Sequence, residues 1–263
     1  MSFFSDLQVL YHLAVKPIRG DSHKERLENF YAGQADAYDE FRKRLLHGRQ
    51  ELWDSIEAPP GSVWIDMGGG TGSNLEYFGD RLSSLKKVYV VDLSPSLLEI
   101  AQARIQKNGW TNVETVEADA TRWQPPQPAD VVTFSYSLTM IPDWFAAIDN
   151  ARQMIATGGL IGVVDFYVAR KYPLDGHKQH SWFTRTFWPA WFGSDNVFPS
   201  PDHVPYLERH FETLRLEEKD AGVPYVPFAT MPYYRFIGRK RGQAETPPAA
   251  AIRASAETAG VSP

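Results

Sequence analysis

Three acids and one glycine-rich turn hold the residues of this chain best suited to chemistry. Asp66 ends the apolar run Val63–Asp66, Asp92 ends the run Val88–Asp92, and Asp119 follows the run Val113–Glu117. After Asp66 the chain reads Met67-Gly68-Gly69-Gly70-Thr71-Gly72-Ser73-Asn74, an Asp-x-Gly-x-Gly-x-Gly spacing. A dinucleotide fingerprint asks for Gly-x-Gly-x-x-Gly, and Ser73 stands where its third glycine would fall. A phosphate-cradling loop asks for Gly-Lys-Ser/Thr, yet no lysine occurs between Gly61 and Arg81. The leading carboxylate would repel pyrophosphate. It suits a cationic, amine-bearing ligand instead.

Those residues need strands and helices to bring them together, and the chain supplies both in alternation. Strands are expected at Val63–Asp66, Val88–Asp92, Val113–Glu117, Val131–Ser135 and Leu160–Phe166, with later ones at Glu212–Lys219 and Tyr233–Gly238. Between them, Asn74 to Leu82 places Leu75, Phe78 and Leu82 on one helical face. Ser94 and Pro95 open a helix to Lys107, and Asp143 caps one through Trp144, Ile148 and Met154. Such alternation means βαβ units, right-handed crossovers and a mostly parallel sheet. The three acids then share one sheet edge, where ligands bind beside the topological switch point. The fold class is α/β: a Rossmann-like, mostly parallel seven-stranded sheet with helices on both faces.

Composition narrows the function classes. With 263 residues the chain can bury a sizeable core, and its net charge of −5 argues against nucleic acid as partner. It contains no cysteine, which excludes disulfides, zinc–thiolate sites and thiol catalysis. No histidine spacing resembles a metal site, and none is expected. No apolar run approaches the ~20 residues that span a bilayer. Aromatic residues make up 13% with eight tryptophans, three of them between Trp182 and Trp191, so the stretch Lys171 to Tyr206 stands out.

Three boundaries follow. Residues 1–60 form a helical lead-in, 61–241 the α/β domain with an aromatic insertion at 171–206, and 242–263 an aperiodic Ala/Pro/Ser/Thr tail read as disordered. In the lead-in, Phe3, Phe4, Leu7, Leu10, Tyr11 and Ala14 make an amphipathic helix ended by Pro17 and Gly20. Its apolar face either packs on the body or lies in a membrane interface. Ser22 and Glu25 cap a second helix, and a third runs from Ala35 to Leu46 with Gly48 as its stop. The insertion, with one short helix expected at Gln179–Phe187, either covers a satellite core or offers an interfacial or acyl-chain surface.

The Asp66 loop with the acids at the two following strand ends resembles class I S-adenosylmethionine-dependent methyltransferases. The resemblance implies S-adenosyl-L-methionine as cofactor, S-adenosyl-L-homocysteine as product, and a binding set of Tyr38, Asp66, Gly68, Gly70, Thr71, Asp92, Leu93, Asp119, Ala120 and Ser135. Within it, Asp66 and the loop N–H groups face the ammonium and sulfonium side. Asp92 accepts from both ribose hydroxyls, Asp119 and the Ala120 N–H read the adenine, and Leu93 and Ala118 sandwich the ring.

A closer similarity rests on Phe30-Tyr31-Ala32-Gly33-Gln34, Tyr38-Asp39, Leu45-Leu46-His47-Gly48-Arg49, Tyr136-Ser137-Leu138-Thr139-Met140 and above all Phe187-Trp188-Pro189-Ala190-Trp191-Phe192 with Ser200-Pro201-Asp202-His203-Val204-Pro205-Tyr206-Leu207. These resemble the betaine-lipid N-methyltransferases, which trimethylate the amino group of diacylglyceryl-homoserine; the Tyr136 stretch, continued by Ile141-Pro142-Asp143-Trp144, is similar to ubiquinone and phospholipid methyltransferases as well and is the less specific part. Such a resemblance implies a lipid amine as substrate, a cytoplasmic protein peripheral to a membrane, and a separate aminocarboxypropyl transferase as working partner. Phosphatidylethanolamine, a soluble or quinone acceptor, and a cofactor-binding module without catalysis stand as alternatives. An α-amino group has a pKa near 8, so freeing its lone pair at pH 7 costs only about 1.4 kcal/mol, and no strong base is required. Tyr31, Tyr38, Tyr136 and Tyr206 either orient the amine or serve as half-buried packing residues, His203 is a candidate proton acceptor, and Arg42, Lys43, Arg44 and Arg49 could meet phosphate or a substrate carboxylate.

Overall fold

The computed structural model describes residues 45–193, 196–223 and 229–242. The amphipathic N-terminal helix, the capped second helix, Tyr31, Tyr38, Arg42 to Arg44 and the tail fall outside them.

A seven-stranded sheet carries the molecule, in the order β3-β2-β1-β4-β5-β7-β6. The strands are β1 (Val63–Met67), β2 (Lys87–Asp92), β3 (Val113–Glu117), β4 (Ala129–Ser135), β5 (Ile155–Phe166), β6 (Glu212–Gly222) and β7 (Thr230–Arg239). The first five pair parallel; β7 runs antiparallel to both β5 and β6. The helices are α1 (Arg49–Ser55), α2 (Pro95–Asn108), α3 (Trp144–Met154), α4 (Trp182–Gly193) and α5 (His203–His210).

Alternating side chains assign the two faces of the sheet. Trp64, Val88, Val90, Val131 and Val164 join a core with α1 (Leu52, Trp53), Ile56 and α2 (Leu98, Ala101, Ile105). Val63, Ile65, Met67, Tyr89, Val91, Val132 and Phe134 pack against α3 and α5 on the opposite face. Because β1, β2 and β4 are covered on both sides, their sequences read as nearly unbroken apolar runs. Trp53 is fully buried, stacked on Trp64 at 6.0 Å with Phe78 edge-on to Trp64 at 4.8 Å. Each such ring contributes about 1.5–3 kcal/mol through burial.

Local chemistry sets the helix ends at the ligand edge. Ser94 caps α2 by accepting from the Leu97 N–H, with Pro95 in its first turn, and Asp143 caps α3 by accepting from the Ala146 N–H at 3.1 Å.

Two expectations fail. The segment after the glycine loop is not an α-helix but 3-10 turns over Ser73–Ser84, broken at Gly79 (φ 54°, ψ −138°). The third helix expected before Gly48 lies almost wholly outside the described residues; Leu45 is helical, and Gly48, at φ 80°, also opens a helix not expected from the sequence, α1, whose Arg49, Leu52 and Trp53 are buried. The insertion helix is longer and later than expected, and it divides its rings: Trp188 and Phe192 face the core while Trp182, Phe183 and Trp191 are exposed.

Candidate active site

At the carboxyl ends of β1 to β4, on both sides of the point where strand order reverses, lies a cavity of about 330 Å³. Gly68 and Gly70 border it from the loop after β1, Asp92, Leu93 and Leu97 from β2 and α2, Ala118 to Arg122 from beyond β3, and Tyr136, Ser137 and Met140 to Asp143 from beyond β4.

The loop is held by what lies beneath it. Gly68 adopts φ 66°, and a Cβ there would stand 2.5 Å from the Ser137 Cβ, so only glycine lets the two strand-end loops close together. Gly70 lies at φ 55° and offers its N–H to Asp92 Oδ2 at 2.9 Å. Asp92 Oδ1 accepts from the Ser94 N–H at 2.9 Å, so this carboxylate joins the β1 loop to the start of α2 while bordering the cavity. A carboxylate oxygen can accept more than one hydrogen bond, so both retain capacity for ligand hydroxyls. Asp119 receives the Thr121 N–H and hydroxyl on Oδ1 at 2.8 and 2.7 Å, which fixes the acid at the cavity wall.

Asp66 corrects an expectation. It does not line the cavity; it is 1% exposed and lies under the loop. Asn74 Nδ2 donates to its Oδ2 at 2.8 Å and Thr133 Oγ1 to its Oδ1 at 3.0 Å. Burial pushes its carboxyl up to about 6, against those two hydrogen bonds and the Arg49 charge, which pull it down. Arg49 is likewise turned inward rather than toward a substrate anion: its Nε donates to Asn74 Oδ1 at 3.0 Å and its Nη2 to Ser73 Oγ at 2.7 Å. The relay Arg49–Asn74–Asp66–Thr133 thus ties α1, the glycine loop, β1 and β4 into one buried polar unit.

The other candidates divide by place. Gly68, Gly70, Asp92, Leu93, Asp119, Ala120 and Tyr136 come together around the cavity, as does Ala118. Thr71 and Ser135 are buried and do not border it. Tyr136 sits at φ 54°, rare for a residue with a side chain and worth about 1–2 kcal/mol of strain. Its hydroxyl donates to the His47 carbonyl at 2.6 Å, and burial raises its pKa well above the phenol range, so it acts as a fixed wall and not as an acid or base.

His203 and Tyr206 do not reach the site. His203 is fully buried against Trp144, edge-on at 4.6 Å, and burial pushes its imidazole down to about 3. Tyr206 packs between Phe145 at 5.0 Å and His210 at 4.3 Å. Neither borders the cavity, so the proton-acceptor role for His203 fails on geometry as well as on basicity. Met140, Ile141 and Pro142, part of the stretch whose resemblance to methyltransferases the sequence carries, also line the wall, as does Arg122, whose only signal in the sequence was its position five residues after the end of β3. A further unforeseen residue is Asp165, fully buried at the end of β5, which accepts from Thr139 Oγ1 at 2.7 Å and the Thr139 N–H at 3.2 Å. It holds the Ser137 to Ile141 turn against the sheet.

An acid-bordered cradle with apolar walls (Leu93, Leu97, Ala118, Ile141), opened by glycines at a parallel-sheet switch point, defines a class I S-adenosylmethionine-dependent methyltransferase. The chain belongs to the family described as "Methyltransferase domain", whose profile matches residues 38–216.

Among relatives, the ubiquinone/menaquinone biosynthesis C-methyltransferase UbiE of Shewanella woodyi is 25% identical over 162 residues, 59% of this chain. The UbiE of Shewanella baltica is equally similar. The chain spans 64% of the length of these curated relatives. Solved structures share the fold. The N-methyltransferase NodS of Bradyrhizobium japonicum, in complex with S-adenosyl-l-homocysteine, aligns with TM-score 0.58 at 14% identity, covering 84% of this chain and 100% of that one. Phospholethanolamine N-methyltransferase 2 of Haemonchus contortus aligns with TM-score 0.65 at 13% identity, over 85% of this chain and 61% of that one.

The residues fit that cofactor. Asp92 and Asp119 supply acceptors for a ribose and an adenine amine, and Leu93, Leu97 and Ala118 supply apolar walls. The cofactor, when bound, provides an electrophilic methyl group on a sulfonium. This chain's own contribution is to fix the loop through Asp92 and the Asp66 relay, to exclude water with the Tyr136 to Pro142 turn, and to hold an acceptor in line.

Proposed function

We propose that this methyltransferase acts on the amino group of a membrane lipid, best fitted by diacylglyceryl-homoserine carried to its trimethyl form by successive methylations. One observation carries the reading: a succession of rings joins the cavity wall to the protein surface. Tyr136 meets Phe166 at 4.5 Å, Phe166 stacks on Phe192 at 4.9 Å, and Phe192 on Trp188 at 5.5 Å. Phe187 then bridges Trp188 at 5.0 Å to Phe183 at 5.1 Å and Trp191 at 5.6 Å. Trp182, Phe183 and Trp191 are 72%, 62% and 50% exposed. Large exposed rings grouped on one helix, packed through buried rings onto the cavity wall, suit a lipid–water interface beside the site where the amine of the substrate enters. Among the described residues no helix is long and apolar enough to cross a membrane. The exposed rings of the aromatic helix and the N-methyltransferases among the fold's neighbours accord with this reading. An amine that loses its proton for about 1.4 kcal/mol needs no strong base.

A second reading is C-methylation of a quinone ring, favoured by the UbiE relatives. Incubation with methyl-labelled cofactor and a total lipid extract separates them. The proposal expects label on a homoserine head group, in one to three methyl increments. Label on phosphatidylethanolamine alone moves the substrate to another lipid amine, and label on a quinone alone overturns it.

A further inference from the structure

Opposite the methyl-transfer cavity, at the amino-terminal edge of the parallel strands, lies a second concavity of about 410 Å³, bordered by Arg152, Gln153, Arg209, His210, Lys240 and Arg241. The topology explains the gathering. α3 ends just before β5 begins, α5 ends just before β6, and β7, being antiparallel, delivers Lys240 and Arg241 to the same edge. The backbone pairing of Lys240 with Gly158 and Gly159 fixes that arrival. Lys240 Nζ donates to the Ile155 carbonyl at 2.5 Å, and Arg241 Nη2 to the Phe211 carbonyl at 3.1 Å. Each leaves further N–H donors for another partner.

In a chain of net charge −5, four fixed positive charges here have no carboxylate partner among the described residues. Several other cations in the same stretch of chain are paired: Arg170 with Asp202, Lys178 with Asp220, Arg215 and Arg235 with Glu217, Arg239 with Glu212. Among the described residues Asp149 is an acid that acts on this group: its charge favours the protonated form of His210, against Arg152 and Arg209. Helix carboxyl ends favour one cation each, which accounts for Arg152 and Arg209 singly. It does not account for four converging on one hollow, where they repel: the Arg152 charge acts against both His210 and Lys240.

We propose that this concavity is a binding site for a multiply charged oxyanion of the phosphate class, separate from the methyl-transfer site. Guanidinium groups match phosphate oxygens in pairs, and several fixed cations reward more than one negative charge on the ligand. The phosphate could belong to a soluble molecule or to a lipid head group, and the assay distinguishes them.

The test titrates the full chain with inorganic pyrophosphate at constant ionic strength, and separately sediments it with phosphatidylcholine vesicles with and without phosphatidic acid. Saturable binding of pyrophosphate is expected, at least tenfold weaker in the double variant Arg152→Gln, Arg209→Gln and retained in Arg152→Lys, Arg209→Lys. S-adenosylhomocysteine binding, unchanged in all of them, serves as the fold control. Binding to pyrophosphate without sedimentation assigns a soluble ligand; sedimentation that needs phosphatidic acid and is lost in the glutamine variant assigns a head group. Absence of saturable binding of either kind in the wild-type chain, or equal binding by the glutamine variant, overturns the proposal.

Discussion

Replacing Asn74 by alanine tests the relay beneath the glycine loop most sharply. The change removes the donor to Asp66 Oδ2 and the acceptor for Arg49, both in buried surroundings. A hydrogen bond to a charged group is worth about 1.5–3 kcal/mol, and two such groups lose one partner each. At pH 8 Asp66 is ionised in the fold, because its carboxyl titrates at about 6. The expected loss of stability there is about 3–5 kcal/mol, somewhat below the simple sum because Ser73 still holds Arg49. At pH 5 the Asp66 carboxyl is protonated in the fold and leaves no charge stranded, so its share, about 1.5–3 kcal/mol, largely disappears. The sign follows from linkage. A carboxyl raised from 3.8 to about 6 favours the fold most in acid and loses that contribution as pH rises between those values. Loss of Asn74, a group that lowers the value, extends the decline to higher pH. Urea unfolding of wild type and Asn74→Ala at pH 5 and pH 8 reads the difference. A destabilisation equal at both pH values, or below about 1 kcal/mol at pH 8, would refute the relay as the support of the loop.

Other outcomes follow from the same geometry. Asp92→Ala frees the Gly70 and Ser94 N–H groups and removes one of the cavity's carboxylate acceptors, and calorimetry should register S-adenosylhomocysteine binding weakened about 100-fold, equivalent to about 2.7 kcal/mol. Gly68→Ala drives a Cβ to 2.5 Å from Ser137 and should lower stability by about 3 kcal/mol or more; Gly70→Ala, whose nearest neighbour stands at 3.6 Å, meets only backbone strain of about 1–2 kcal/mol, and denaturant midpoints distinguish the two. Asp165, raised by burial from 3.8 to about 7, makes stability fall as pH rises between those values by as much as about 4 kcal/mol; Asp165→Asn should flatten that slope in pH-dependent melting curves. His203→Ala should destabilise the α3–α5 packing yet leave the pH profile of turnover between pH 6 and 9 in place, and a displaced profile would show the residue acting at the site.

Much of the fold was legible because its signals are local. Apolar runs bounded by Asp, Gly and Pro marked β1 to β5, and Ser94-Pro95 and Asp143 marked the starts of α2 and α3. That Asp92 and Asp119 reach one cavity was legible for the same reason, since strand ends fix where they arrive. Burial was not. Asp66 reads in sequence as a ligand group, but Asn74, eight residues on, turns back to bond it, and Thr133 meets it from a strand distant in the chain. The spacing Leu75, Phe78 and Leu82 satisfies an α-helix and 3-10 turns alike, and Gly79 decided for the latter. α1 did leave a trace, with Arg49, Leu52, Trp53 and Ile56 on one face, hidden by Gly48, which reads as a stop and serves as a start. His203 reads as a site residue beside Pro201 and Asp202, but helix α5 turns it into the core against Trp144.

The most direct measurement is calorimetric titration of the full chain with S-adenosylhomocysteine, alongside its Asp92→Ala variant and a nicotinamide dinucleotide as competitor. One saturable site, weakened in the variant and indifferent to the dinucleotide, is the result the acid-bordered cradle predicts. No heat with the methyl donor's product, together with clear heat from the dinucleotide, would contradict it.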